Sequence, residues 1–168
     1  GAAFGTGAHA TTAMCLRWLE RLVCPQMRIY DVGCGSGILA IAASKLGAGE
    51  IIAMDYDPVA VSVAEENIRA NHVTNVAAIE SDLLAVCTGL EPAQLITANI
   101  IADIIIRLFD QLDAHLAPGG VLLASGIIDD RIADVERAAR EHGYTVLDIT
   151  CEKEWAAMII RRSEELEL

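Results

Sequence analysis

Apolar positions along the chain switch between two rhythms. Cys15, Trp18, Leu19 and Leu22 recur at helical spacing, which predicts a helix over 10–23 that Pro25 stops. Short apolar runs at 28–32 and 51–54 then flank a helix over 37–46 closed by Gly47, which makes a strand-helix-strand unit. The same rhythm predicts a helix over 58–71, with Pro58 suited to its first turn, and strands at 76–79 and 94–98. A helix over 101–116, a turn at Pro118-Gly119-Gly120, a strand over 121–125 and a helix over 129–142 ending at Gly143 complete the alternation. The pattern then changes. Strands at 144–150 and 155–160 are separated by only a few polar residues, too few for a parallel crossover, so they form an antiparallel pair. An acidic tail, 163–168, is expected to fray.

Repeated strand-helix units with a terminal hairpin define an α/β fold, a mostly parallel sheet with one antiparallel strand in a Rossmann-like arrangement of seven strands. The 168 residues fit one domain able to bury its own core. Composition agrees: 54% hydrophobic and 4% aromatic residues are what strands buried on both faces require. Charges such as Asp103 and Arg107 interrupt every long apolar stretch, so no run can span a bilayer. The start is not a signal peptide, and the lack of an initiator Met suggests that the natural sequence continues upstream.

A net charge of −12 repels phosphate backbones and argues against direct binding of nucleic acid. It suits solubility, and it can also steer a cationic partner. Five cysteines without a C-x-x-C pair and four scattered histidines give neither a disulfide framework nor a metal site. The cysteines read as reduced, cytoplasmic core residues.

The segment that carries chemistry is Asp31-Val32-Gly33-Cys34-Gly35-Ser36-Gly37, a strand entering a glycine-rich turn. Gly33 and Gly35 let the backbone bend and a ligand approach closely. A dinucleotide fingerprint needs glycine at the sixth position from Gly33, where Ile38 stands, so a dehydrogenase is disfavoured. Asp31, two residues before the first glycine, is awkward for a pyrophosphate but suits a ligand with an amino group and a sulfonium. Asp55 lies 22 positions after Gly33, near the distance at which an acid receives ribose hydroxyls. It could instead cap the helix at Pro58, as could Asp57. Beside the glycine turn the ribose role is preferred. Asp82 follows the third strand, where an adenine edge would lie. Asn99 ends the fourth strand and faces the same crevice, where its carbonyl oxygen could orient an amine, or it caps the next helix.

Four segments carry a resemblance: Phe4-Gly5-Thr6-Gly7-Ala8-His9-Ala10-Thr11-Thr12, Asp31 through Ile41, Ala98-Asn99-Ile100-Ile101-Ala102 and Ser125-Gly126-Ile127. Together they resemble the ribosomal protein L11 methyltransferases, class I enzymes that use S-adenosylmethionine. The resemblance implies that Thr12, Gly33, Asp55 and Asn99 contact the cofactor, with Asn99 beside the reacting atoms. It implies as partner and substrate ribosomal protein L11, methylated on lysine side chains and its amino-terminal amine. It also makes 1–168 the catalytic domain, with a substrate-docking domain expected upstream. Alternatives from other classes are a methyltransferase for a different nitrogen and a non-catalytic domain that binds the cofactor.

Overall fold

The computed structural model describes residues 8–166. Helix α1 (Ala8–Leu22) leads into strand β1 (Ile29–Val32), followed by α2 (Ile38–Lys45), β2 (Ile51–Asp55), α3 (Pro58–Ala70) and β3 (Val76–Glu80). Then come β4 (Ala93–Asn99), α4 (Ala102–His115), β5 (Leu116–Ile128), α5 (Ile132–Glu141), β6 (Tyr144–Glu152) and β7 (Trp155–Arg162). All seven strands join one sheet in the order β3-β2-β1-β4-β5-β7-β6. Strands β1 to β5 pair in parallel, and β7 runs antiparallel to both of its neighbours. The expected single antiparallel strand is therefore β7.

Residue parity assigns each strand side chain to one of two cores. Tyr30, Val32, Ile52, Met54, Ile96, Ala98, Leu122 and Ala124 pack with α4 and α5. Ile29, Ile51, Ala53, Leu95 and Leu123 pack with α1, α2 and α3. Each helix supplies one stripe: Met14, Cys15, Trp18 and Leu19 from α1, and Ile105, Leu108, Phe109 and Leu112 from α4. Odd-numbered residues nearer the strand ends, Asp31, Asp55, Thr97, Asn99 and Ser125, extend the α1 and α2 face toward the carboxyl edge of the sheet. Past Ser125 the register of β5 shifts, so Ile127 packs on the opposite face.

Boundaries move in three places. The ladder of β5 begins at Leu116 opposite Ala93, breaks across the Pro118–Gly120 turn and resumes at Val121 opposite Leu95. The helix expected over 129–142 opens with a 3₁₀ turn, Asp129–Arg131. The tail does not fray through 166: Ser163–Leu166 form a 3₁₀ turn. Ser163 N donates to Gly143 O at 2.9 Å, and Glu165 accepts from Gly119 N at 2.6 Å. Carboxylate and backbone partners, invisible in a run of acidic residues, hold it down.

Candidate functional site

The chain winds from β1 to β3 in one direction and then returns to place β4 on the other side of β1. At that switch the loops after neighbouring strands diverge and leave a crevice at the carboxyl edge. A cleft of about 620 Å³ opens there, lined among others by Gly33, Gly35, Asp55, Tyr56, Asp82 and Asn99. That size fits a small-molecule site.

The glycine turn is shaped by backbone demands. Gly33 and Gly35 have φ of 68° and 52°, a region that side-chain-bearing residues avoid. A Cβ on Gly33 would stand 2.4 Å from Ile100 Cγ2, so the loop after β4 closes directly over it. A Cβ on Gly35 would meet nothing within 4 Å, so this position faces open space.

Asp55 is tied to that turn. Gly35 N donates to Asp55 Oδ2 at 2.9 Å, and Asp57 N donates to Oδ1 at 3.0 Å. Capping of α3 falls to Asp57, whose Oδ1 accepts from Val59 N at 2.9 Å. This divides the two roles open to the acids before Pro58 and leaves Asp55 facing the cleft with lone pairs to spare. Asp82 lines the far side, its carboxylate 3.7 Å from Arg107 Nη2 across the opening. Neighbouring Ser81 is absorbed in the turn, donating to Leu83 O at 2.9 Å and accepting from Val86 N at 3.0 Å.

Asn99 ends β4 within the lining, and it is not a cap: Ile101 holds the N-cap position of α4, with no side-chain bond. Its Oδ1 is buried and has no hydrogen-bond partner among the described residues. Asp31 sits lower. It is 2% exposed, outside the cleft lining, and accepts from Thr97 Oγ1 at 2.7 Å. Burial pushes its carboxyl up to about 7, against the pull of the Thr97 hydrogen bond. Thr12 lies half-buried on α1 and is not among the lining residues. The start of the opening motif, Phe4 to Gly7, falls outside the described residues.

Structure adds residues that sequence reasoning passed over: Tyr56, Ile100, Ile101, Ile104 and Arg107 also line the cleft. Tyr56 and Ile101, 76% and 41% exposed, are large apolar groups at its mouth. Their positions one residue after Asp55 and two after Asn99 were the available signal.

Strand order, the glycine turn and an acid at the end of the second strand define the class: a Rossmann-like domain of the methyltransferase type. Solved structures share that architecture even where sequences have diverged, as with a precorrin-6y C5,15-methyltransferase from Geobacter metallireducens, at a TM-score of 0.74 and 21% identity over 88% of this chain and 84% of that one. The family model described as ribosomal protein L11 methyltransferase (PrmA) matches residues 1–163, and the chain belongs to that family. Ribosomal protein L11 methyltransferases from Heliobacterium modesticaldum and Caldanaerobacter subterraneus are 48% and 49% identical over 97% and 96% of the chain. The chain spans about half the length of these relatives, 51% and 52%. The crystal structure of a ribosomal protein L11 methylase from Lactobacillus delbrueckii superposes with a TM-score of 0.87 at 36% identity, over 92% of this chain and 79% of that one.

Proposed function

We propose that this chain binds S-adenosylmethionine in the cleft and transfers its methyl group to amine nitrogens of ribosomal protein L11, on lysine side chains and the amino terminus. The observation that carries the reading is the Gly35–Asp55 link: an open glycine turn whose amide fixes a carboxylate at the end of the neighbouring strand. The residues present suit the cofactor. The space over Gly35 admits a ligand against bare backbone, Asp55 has acceptor capacity for two hydroxyls, and Asp82 stands where a purine amino group needs an acceptor. When bound, S-adenosylmethionine supplies a methyl carbon activated by its sulfonium.

The protein's part is alignment. Asn99 offers its unpartnered Oδ1 to an amine hydrogen and so directs the nitrogen lone pair into the cleft. As an amide it does not take the proton. Water takes it to bulk solvent, with backbone carbonyls near Asn99 accepting hydrogen bonds that hold the amine and that water in place, since an ordinary lysine ammonium with a pKa of about 10.4 must deprotonate to react. Among the described residues no helix is long and apolar enough to cross a membrane. A cytoplasmic enzyme acting on a protein rather than directly on nucleic acid is consistent with that and with the net charge of −12.

Isothermal titration with S-adenosylhomocysteine tests the cofactor half. Wild type binds and Asp55→Ala does not; equal binding by both proteins would remove the ribose assignment. A radiolabelled methyl-transfer assay on purified L11 tests the other half. Binding without transfer would leave a cofactor-binding domain without this activity.

A further inference from the structure

In the motif Ser125-Gly126-Ile127, Ser125 is anomalous. It is fully buried, at 0% exposure, yet its Oγ has no hydrogen-bond partner among the described residues. The Cys15 thiol on α1 interacts with this hydroxyl, but a thiol is only a weak donor and acceptor and the pair makes no short hydrogen bond. A buried hydroxyl without a partner is unfavourable by about 1–3 kcal/mol, and such groups in folded proteins call for a cause.

Its surroundings give that cause a chemistry. Ser125 pairs in register with Asn99 on the adjacent parallel strand, and Ile100 N donates to Ser125 O at 3.0 Å, which fixes the two strand ends together. Thr97 pairs in register with Asp31. Asp31, Asn99 and Ser125 thus project from one face, at the carboxyl ends of β1, β4 and β5. Each presents an unpartnered buried oxygen: Asp31 Oδ2, Asn99 Oδ1 and Ser125 Oγ. Asn99 Oδ1 and Ser125 Oγ can accept, and Asp31 Oδ2 can do so when its carboxyl is ionised. An alkylammonium has three N–H donors and no acceptor, and it is the small group that matches such a set. The shift in β5 directly after Ser125 ends this face, so no later residue of the strand can fill the place.

We propose that Ser125 is a further ligand-binding residue, supplying an acceptor oxygen beside Asn99 for an N–H of a primary ammonium or amine. This rests on the function proposed above, where two molecules carry such a group: the cofactor, at its α-amino end, and the acceptor lysine.

Ser125→Ala separates this role from a structural one. Because the hydroxyl has no strong partner in the free protein, the variant melts at or above the wild-type temperature while a ligand readout worsens. If the group is the cofactor's, affinity for S-adenosylhomocysteine falls about tenfold or more, as expected for a hydrogen bond to a charged group. Affinity for the analogue lacking the α-amino group then stays the same in both proteins. If the group is the acceptor's, S-adenosylhomocysteine affinity holds and kcat/KM for L11 falls about tenfold or more. Two results overturn the inference: unchanged affinity and unchanged kcat/KM, or a lowered melting temperature, which would make the hydroxyl part of the fold. A wild type that does not bind S-adenosylhomocysteine would remove the cofactor reading as well, whereas wild-type binding with both affinity and kcat/KM unaffected by Ser125→Ala would remove this one alone.

Discussion

Asp31 holds its proton unusually well because burial beneath the glycine turn penalises the charged form. Its folded value of about 7 lies above the ordinary 3.8. The native chain therefore keeps a proton that the unfolded chain has lost between about pH 4 and pH 7. In that window stability falls as pH rises, and above it the effect is constant. Asp31→Asn has no such proton to lose. In ligand-free protein its melting temperature should gain on wild type between pH 5 and pH 8, and parallel pH profiles would contradict the assignment. Asn99 makes the complementary case, a neutral group whose value lies in orientation. Asn99→Ala is expected to lower turnover on the order of 10²-fold while S-adenosylhomocysteine affinity changes much less; steady-state kinetics set beside titration show the split. Some of this was readable from residue types and spacing. Asp55 was placed by its distance from Gly33, but the choice between ribose and helix cap needed Asp57 to be seen accepting from Val59 N. Burial of Asp31 and the unpartnered Ser125 hydroxyl depend on packing beneath α1, which no local pattern encodes.

Among the elements, β7 is secured by one side chain. Arg162 Nε donates to Asp113 Oδ1 at 2.8 Å, and its two Nη atoms donate to the carbonyls of Asp113, Leu116 and Ala117 at 3.0, 2.7 and 3.1 Å. These carbonyls close α4 and open β5, so the guanidinium ties the antiparallel strand to the helix end that feeds its neighbour. The Asp113 carboxylate beside Arg162 is held below its ordinary range by that hydrogen bond. Replacing Arg162 by Met leaves three carbonyls without this donor and is expected to cost about 2–3 kcal/mol. That corresponds to a fall of about 5–10 °C in melting temperature. Arg162→Lys should recover only part, because a point charge cannot fork across three acceptors. Calorimetry on the three proteins measures this. Helices α1 to α5 were legible because their apolar stripes repeat at helical spacing and turn residues bound them. The extended β5 and the anchored Ser163–Leu166 turn were not, because their bonds reach residues 18 and more positions away.

For the whole molecule, charge and site location combine. The net charge is −12, and Asp55, Asp57 and Asp82 line the cleft with Arg107 as the cation opposite them. Such a field attracts cationic groups toward the opening and is screened by salt. For the proposed substrate L11, raising ionic strength from about 0.05 M to about 0.5 M is expected to lower kcat/KM by about tenfold. Affinity for S-adenosylhomocysteine, held by short-range contacts, should change little. Equal salt dependence of the two would argue against steering. The exposed Tyr56 and Ile101 give the same mouth an apolar rim.

Sequence by itself determined the succession of strands and helices, because strands buried on both faces must be apolar runs and helices packed on a sheet must carry one apolar stripe. It also determined the glycine turn and the acid one strand away, since both are local requirements. Tertiary structure alone decided the strand order, which oxygens lie buried without partners, and which acid caps a helix and which faces the cleft. Those outcomes depend on contacts between residues far apart in the chain, whose geometry exists only once the sheet has closed between its two helical layers.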